Sequence, residues 1–236
     1  MRSAVPVALA LVLAVISWQV RADGPLLGLD RSARHATWDF RHALHSTPVN
    51  HLGAALSDLG GNVPAFPLLL LGGALAAALR RRAGSPRWWL PLPVAALAGA
   101  AVPALVIPAK AFFARPGPFG VPLTPEQLGW YPSGHTATST IAYGTVALLV
   151  GRELGHRARR LLYAATALLC AGVGWGLVWS DYHWLLDVLA SWCLGGLVLW
   201  ALSRRLAPPP GEHPGAAAGG HGGHCGHDGL DGPDGH

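Results

Sequence analysis

Six apolar segments, each close to the length of a membrane-spanning helix, constrain the fold of this chain more than any other feature. A helix needs about 20 mainly apolar residues to cross the hydrocarbon core of a bilayer. Charged residues make up 12% of the chain, against roughly 25% in soluble domains. The sequence therefore predicts an all-α, six-span transmembrane helical bundle. The segments run approximately from Ala4 to Val20, Val63 to Leu79, Trp88 to Ile107, Thr136 to Val150, Leu161 to Trp179 and Trp184 to Leu202.

The positions of the basic residues predict the orientation of this bundle. Cytoplasmic ends of membrane helices carry an excess of Lys and Arg. With a cytoplasmic N-terminus, eleven of the 17 basic residues lie inside and six outside. We therefore expect a multi-pass protein of the cell membrane with both termini cytoplasmic. Because the arginines border the apolar segments, they indicate topology, and we expect no nucleic-acid partner.

The chain divides into a membrane domain and a polar tail. Residues 1–205 contain the six spans, with an outer loop at about 22–62 that is either partly an amphipathic interfacial helix or a solvated loop. Residues 206–236 are rich in Gly, Pro and His, which predicts a disordered cytoplasmic tail. The histidines of this tail are more typical of adventitious metal chelation than of a defined site. The first span is either an uncleaved anchor, which we favour, or a signal peptide.

A Pro132-Ser133-Gly134-His135 sequence precedes the fourth apolar segment. Ser133 is a suitable N-cap for a helix that begins there. Helix N-termini present free amide groups and a positive dipole end, which suit them to hold phosphate. His135 would then be placed to donate a proton to a departing oxygen. The alternative is an ordinary helix cap followed by an interfacial histidine.

A second histidine, His183, precedes Asp187 by four residues at the start of the sixth segment. This spacing puts both side chains on one face of a helix, within contact. A carboxylate on one ring nitrogen fixes the tautomer and leaves the other nitrogen free to attack phosphorus. The alternative is a structural His–Asp pair that caps the span.

Two cations, Lys110 and Arg115, follow the third apolar segment. Cations at such a position can neutralise a phosphoryl group and the charge that develops as it is displaced. Taken alone, they are more typical of a solvated juxtamembrane loop than of a phosphate site. Under the predicted topology they lie at the same outer face as both histidines, which favours a phosphate site at the extracytoplasmic helix ends.

In this order the three motifs resemble those of the type 2 phosphatidic acid phosphatase superfamily of membrane lipid phosphatases. The family pattern is Lys, six residues, Arg-Pro; then Pro-Ser-Gly-His; then Ser-Arg, five residues, His, three residues, Asp. The resemblance covers residues 110–187. Three positions depart from it, because Gly117 and Leu177 stand where the family has arginine and Gly176 stands where it has serine. Arg115 is the nearest cation to the first of these positions.

The resemblance implies a metal-independent phosphatase that needs no cofactor. His183 would attack phosphorus and form a phosphohistidine, with Asp187 orienting its ring. His135 would protonate the leaving oxygen and then activate water. The residues implied in phosphate binding are Lys110, Arg115, Ser133 and Gly134. Arg34 or Arg41, from the outer loop, would be possible substitutes for a missing arginine.

The expected partner is a lipid phosphate substrate, because the site lies near the headgroup level of the bilayer. Polyprenyl diphosphate, which the outward-facing site slightly favours, phosphatidic acid and phosphatidylglycerol phosphate all suit it. One alternative is a catalytically weakened lipid-phosphate binding or scaffold protein on the same fold. Another is a metal-handling membrane protein that uses the His-rich tail. The sequence does not indicate an oligomeric state.

Overall fold

A computed structural model describes residues 4–206 of the chain, and this part is built from helices without a strand. The predicted all-α class is therefore confirmed. Apart from residue 206, the predicted tail falls outside the described residues. The eight helices are α1 (Ala4–Arg21), α2 (Leu27–Leu44), α3 (Thr47–Asp58), α4 (Asn62–Arg82), α5 (Pro91–Phe113), α6 (Gly134–Gly151), α7 (His156–Trp179) and α8 (Leu185–Arg205).

Five of the described helices, α1, α4, α5, α7 and α8, are long and apolar enough to cross a membrane. The fourth predicted span forms α6, which is less apolar and lies at the centre of the bundle. It packs against α4, α5, α7 and α8, and twelve of its 18 residues are buried. Its threonines and serines therefore face protein more than lipid, which explains why apolarity alone is a weak signal for this helix.

Helix α5 extends further than the sequence predicts. The predicted segment ends at Ile107, but the helix continues through Pro108 to Phe113. Proline is tolerated inside membrane helices because neighbouring groups satisfy the freed carbonyls. Lys110 consequently lies in the last turn of α5 and not in the loop beyond it. Ala114 then adopts a left-handed conformation, with φ of 42°, and turns the chain away from the helix axis.

The segment predicted to be the outer loop folds into two helices, whereas its place at the membrane interface stays a prediction. Helix α2 packs against α7 and α8, and α3 packs along α7. Glycines permit the close approach of α3 and α7: a Cβ at Gly53 would lie 2.6 Å from the Trp179 ring. The indole of Trp179 also donates to the Asn50 amide oxygen at 3.1 Å. These contacts hold the loop helices over the end of the bundle that carries both histidines.

Candidate active site

His183 lies in the turn between α7 and α8, and it is 8% exposed. Asp181 in this turn has a positive φ of 57°. The turn folds back on α7, because the amides of Tyr182 and His183 donate to the Leu177 carbonyl at 2.9 and 3.2 Å. The Nδ1 atom of His183 lies 3.2 Å from Oδ2 of Asp187, a fully buried residue in the first turn of α8. The predicted four-residue pair is therefore formed.

The protonation of His183 follows from these surroundings. Burial lowers the pKa of its imidazole below the ordinary value of 6.5, and the hydrogen bond to Asp187 opposes this shift. The ring is therefore neutral at neutral pH. Because a carboxylate accepts and cannot donate, the proton sits on Nδ1, which leaves the lone pair of Nε2 free. This is the electronic form that a nucleophilic imidazole requires.

Arg115 contacts the carboxylate oxygen of Asp187 that does not face His183. Its Nη1 donates to Oδ1 of Asp187 at 2.6 Å, and its Nη2 donates to Oδ2 of Asp30 at 2.5 Å. The guanidinium also stacks over the Trp184 ring at 5.3 Å. With 7% of its side chain exposed, Arg115 is enclosed by these partners. The phosphate-binding role expected for it stays a prediction, and the geometry gives it a different contact, the carboxylate of Asp187.

Lys110 and both histidines line one cavity of about 670 Å³. The Nζ of Lys110 donates to the carbonyls of Gly129 and Trp130 at 2.8 and 3.3 Å. Its Cε lies beside the start of α6, since a Cβ built on Gly134 would be 3.8 Å away. A cation and a helix N-terminus thus face the same space, which suits a phosphoryl group.

His135, on the first turn of α6, is exposed to this cavity. Its backbone rests on the turn before α4: a Cβ on Gly60 would lie 2.8 Å from both the Cβ and the carbonyl oxygen of His135. A glycine at this position therefore sets how close the imidazole lies to α4. The sequence does not reveal the contact between Gly60 and His135, because a pair of glycines in a loop does not indicate which residue packs against it.

Ser133 caps α6, as its sequence position predicts. Its Oγ accepts from the Thr136 amide at 3.3 Å and from the Thr136 hydroxyl at 3.0 Å. The residue is fully buried, and its amide donates to the Asp187 carbonyl at 3.2 Å. The hydroxyl is engaged in capping and does not line the cavity, whereas Gly134 does. The phosphate-binding role of both residues stays a prediction.

Neither position where the sequence lacks a family arginine has room for one. A Cβ on Gly117 would lie 2.8 Å from the Trp130 indole. Leu177 is 1% exposed and packs in an apolar cluster with Val173 and Val188. The absence of both arginines is thus consistent with the packing of this chain, since an arginine at either site would displace a packed neighbour, the half-buried Trp130 or the cluster around Leu177.

Arg34 and Arg41 of α2 pair with Asp181. The Nε of Arg34 lies 3.3 Å from one carboxylate oxygen, and Nη2 of Arg41 lies 2.8 Å from the other. Arg41 also donates to the Trp179 carbonyl at 2.8 Å. The negative charge of Asp181 next to His183 is therefore neutralised. Both arginines thus contact this turn, and their role as substitutes for a missing arginine stays a prediction.

Asp30 is the site-adjacent residue that sequence reasoning missed. It lies on α2 and is 1% exposed. Its Oδ1 accepts from the Leu186 amide at the start of α8, at 2.8 Å. In sequence it has Arg31 beside it and Arg34 one turn later, which is typical of a solvated helix face. No local signal distinguishes it from an exposed acid.

Comparison with known proteins identifies a family and a similar fold. A sequence profile of the PAP2 superfamily matches residues 88–207, just over half of the chain. Among solved structures, the fold is similar to that of a transmembrane PAP2-type phosphatidylglycerolphosphate phosphatase from Bacillus subtilis, with a TM-score of 0.72 and 21% sequence identity. The alignment covers 85% of this chain and 94% of that protein. No match was found among curated protein sequences.

Proposed function

Because this chain belongs to the PAP2 superfamily, we propose that it is a membrane phosphatase that hydrolyses a phosphomonoester or diphosphate carried on a lipid. The observation that carries the proposal is the single cavity lined by Lys110, His135 and His183. A nucleophile, a proton donor and a cation around one space are the components that phosphate transfer needs.

The first chemical step assigned to this site is attack by His183. The Nε2 lone pair forms a bond to phosphorus while the bond from phosphorus to the leaving oxygen breaks. His135 gives its proton to that oxygen, which typically accelerates such steps by about 10²–10⁴. The ring of His183 gains positive charge as the phosphohistidine forms. Asp187, hydrogen-bonded to Nδ1, balances that charge.

The second step restores the enzyme. His135, now neutral, takes a proton from water, and the water oxygen attacks phosphorus. The bond between phosphorus and Nε2 breaks, and its electron pair returns to His183. Lys110 and the amide groups at the start of α6 stabilise the phosphoryl oxygens in both steps. In this mechanism these groups supply the positive charge that a metal ion supplies in other phosphatases.

The shape of the cavity supports an amphiphilic substrate. Its polar end holds Lys110 and the two histidines. The remainder is lined largely by apolar residues of α4 and α5, such as Phe66 and Ile107. Apolar side chains beside a few convergent polar groups are typical of sites that bind a lipid-like ligand. Polyprenyl diphosphate, phosphatidic acid and phosphatidylglycerol phosphate all have this division into head and chain.

The orientation of the site is also part of the proposal. The excess of basic residues at the other ends of the spans supports cytoplasmic termini and an extracytoplasmic site. A topology reporter fused after Arg205 should give a cytoplasmic signal. An external signal there would overturn the orientation, and it would leave the proposed chemistry unaffected.

Phosphate release from detergent-purified protein tests the function. The three lipids are presented in mixed micelles to the wild type, to His183→Ala and to His156→Ala, an exposed histidine at the far end of α7. We expect release by the wild type and His156→Ala, and loss in His183→Ala. Equal release by His183→Ala would refute the nucleophile assignment.

A chain-length test addresses the apolar part of the cavity. Ile107 is 49% exposed and lines the cavity, whereas Leu105, on the same helix, is 40% exposed and does not. Ile107→Trp should reduce hydrolysis of a long-chain lipid more than that of a soluble phosphomonoester. Leu105→Trp should affect the two substrates equally. An equal effect of Ile107→Trp on both would contradict the assignment of this region to the lipid chain.

The alternative function is a lipid-phosphate binding protein with weakened catalysis. The tight packing at Gly117 and Leu177 favours this alternative, because neither position has space for an arginine that could bind phosphate. The panel above separates the two: binding of a lipid phosphate without release by any variant would support the binding protein. Release that depends on His183 would exclude it.

A further inference from the structure

A continuous series of charged groups connects α2 to the ring of His183. Asp30 contacts Nη2 of Arg115, and Nη1 of Arg115 contacts Asp187. Asp187 in turn contacts Nδ1 of His183. The side chains of the three ionic residues are 0 to 7% exposed. The only member that reaches the cavity lined by Lys110 and His135 is His183.

The position of Asp30 in this series is unusual for an acidic residue on an amphipathic helix. Burial raises the pKa of its carboxyl above the ordinary value of 3.8, and Arg115 opposes that shift. A buried carboxylate is costly unless its oxygens have partners. Here the guanidinium and the Leu186 amide supply one partner to each oxygen. These two hydrogen bonds favour the ionised form.

The two carboxylates and one guanidinium carry a net negative charge. With a neutral His183 ring, the cluster of Asp30, Arg115 and Asp187 has a charge of minus one. When the ring becomes positively charged, the cluster and the ring together become neutral. Without Asp30 the same event would leave a buried excess of positive charge. In a site of low polarity, charge balance of this kind favours the cationic ring.

Asp30 also fixes Arg115 in place. An arginine that contacts a single carboxylate can rotate about its terminal bonds, whereas one that donates to two carboxylates on opposite sides cannot do so without losing a contact. The Trp184 ring, over which the guanidinium stacks, limits it further. Asp30, a residue of α2, thus helps to set the orientation of the Asp187 carboxylate through Arg115.

We propose that Asp30 is a positioning residue of the phosphate-transfer site, which acts through Arg115 to hold and charge-balance the carboxylate that orients His183. The proposal deepens the proposed function and rests on it. Asp30 lies outside residues 88–207, the part of the chain that matches the family profile. The contribution therefore comes from the segment before the matched region.

The charged and titratable groups near the ring and near Asp30 enter any pH effect. Around His183 these are Asp187, Arg115, Lys110 and His135, with Arg34 and Asp181 on the side of α2. Around Asp30 they are Arg115 and Asp187, with Arg34, Arg31 and Asp23 nearby. A test must therefore change Asp30 and leave all the others as they are.

Asp30→Asn meets this requirement. Asparagine keeps an oxygen that can accept from the Leu186 amide, and it removes the charge that faces Arg115. Asp39→Asn, an exposed position on the same helix, is the matched control. Asp30→Glu restores the charge with one more methylene. Thermal unfolding in detergent shows whether each variant is folded.

Two measurements follow. Steady-state phosphate release should show kcat of Asp30→Asn reduced roughly 10- to 100-fold, the range typical of groups that orient metal-binding histidines, with KM changed less than about twofold. Titration of the His183 ring by NMR of 15N-histidine-labelled protein, assigned with His183→Asn, should show a midpoint about one pH unit lower in Asp30→Asn. Asp39→Asn should match the wild type in both, and Asp30→Glu should recover part of each effect.

A folded Asp30→Asn with wild-type kcat and an unchanged midpoint would overturn the proposal. So would a loss of activity that follows a fall in unfolding temperature while the midpoint stays the same, because that result indicates a purely structural role. The NMR titration needs no turnover. If the wild type releases phosphate from no lipid, the proposed function fails, and the titration still decides whether Asp30 acts on His183.

Discussion

Removing the positive charge of Arg115 should destabilise the fold strongly. The guanidinium lies between two carboxylates whose side chains are 0% exposed, and it is itself 7% exposed. Arg115→Met keeps most of the aliphatic volume and leaves Asp30 and Asp187 as two buried carboxylates without a counter-charge. Breaking a buried ion pair by removing one partner costs about 3–5 kcal/mol. We therefore expect a loss of about that size in the free energy of unfolding.

The assay is reversible unfolding in mixed micelles with increasing SDS, followed by tryptophan fluorescence. Ten tryptophans provide the signal, and several of them, including Trp184, lie near the site. Arg115→Lys should recover part of the loss, because lysine keeps the charge but cannot donate to two opposite carboxylates in a fixed geometry. Arg157→Met, an exposed position at the start of α7, is the control and should change stability by less than about 0.5 kcal/mol.

A combined variant separates lost charge balance from lost packing. In Asp30→Asn/Arg115→Met/Asp187→Asn all three charges are replaced by neutral groups of similar size. Because neutral replacement of a buried ionic cluster is often tolerated, this variant should be more stable than Arg115→Met and should lack activity. An Arg115→Met protein as stable as the wild type, or a combined variant less stable than Arg115→Met, would refute the reasoning.

Three further predictions concern the cavity. Lys110→Met should lower kcat about 10²–10³-fold, since it removes the cation that faces the start of α6; wild-type rates in steady-state assays would contradict this. Only the neutral ring of His183 attacks, and burial lowers its pKa below 6.5, whereas His135 must be protonated to donate. We therefore expect a bell-shaped profile of kcat/KM against pH, whose decline on the acidic side has its midpoint below pH 6.5; an acidic decline centred above pH 7 would contradict this. Gly60→Ala should lower kcat about tenfold, because the added methyl meets His135. Gly28→Ala, with nothing within 4 Å of the added methyl, should leave kcat unchanged, and equal effects of the two would count against the role of this contact.

The sequence predicted the helices that cross the bundle better than the way their ends are arranged. The length and hydropathy of a segment clearly identify a peripheral helix such as α1. It marks α6 poorly, because a central helix is surrounded by protein and carries serines and threonines. The end of α5 was placed too early, since Pro108 is a strong stop signal in soluble helices but is tolerated within this one.

The residues of the candidate site were also predictable only in part. His183 and Asp187 were predictable as a pair because a spacing of four in a helix fixes their distance. The direction of the Arg115 side chain was not predictable. It depends on the left-handed turn at Ala114 and on the carboxylate of Asp30, which lies far away in the sequence. Asp30 carries no local signal. Its burial arises only when α2 packs against α8, and tertiary packing of this kind cannot be inferred from the spacing of motifs.

The placement of α2 and α4 has a consequence for shortened versions of this protein. A fragment that starts at residue 88 would retain both imidazoles and Lys110, and it would contain all of residues 88–207, the part that matches the family profile. It would nevertheless lack the anchor at Asp30 and one wall of the cavity, which Phe66 of α4 helps to form. On the proposed role of Asp30, a fragment with the full rate must start before α2, so the boundary expected from activity differs from the boundary of the profile match.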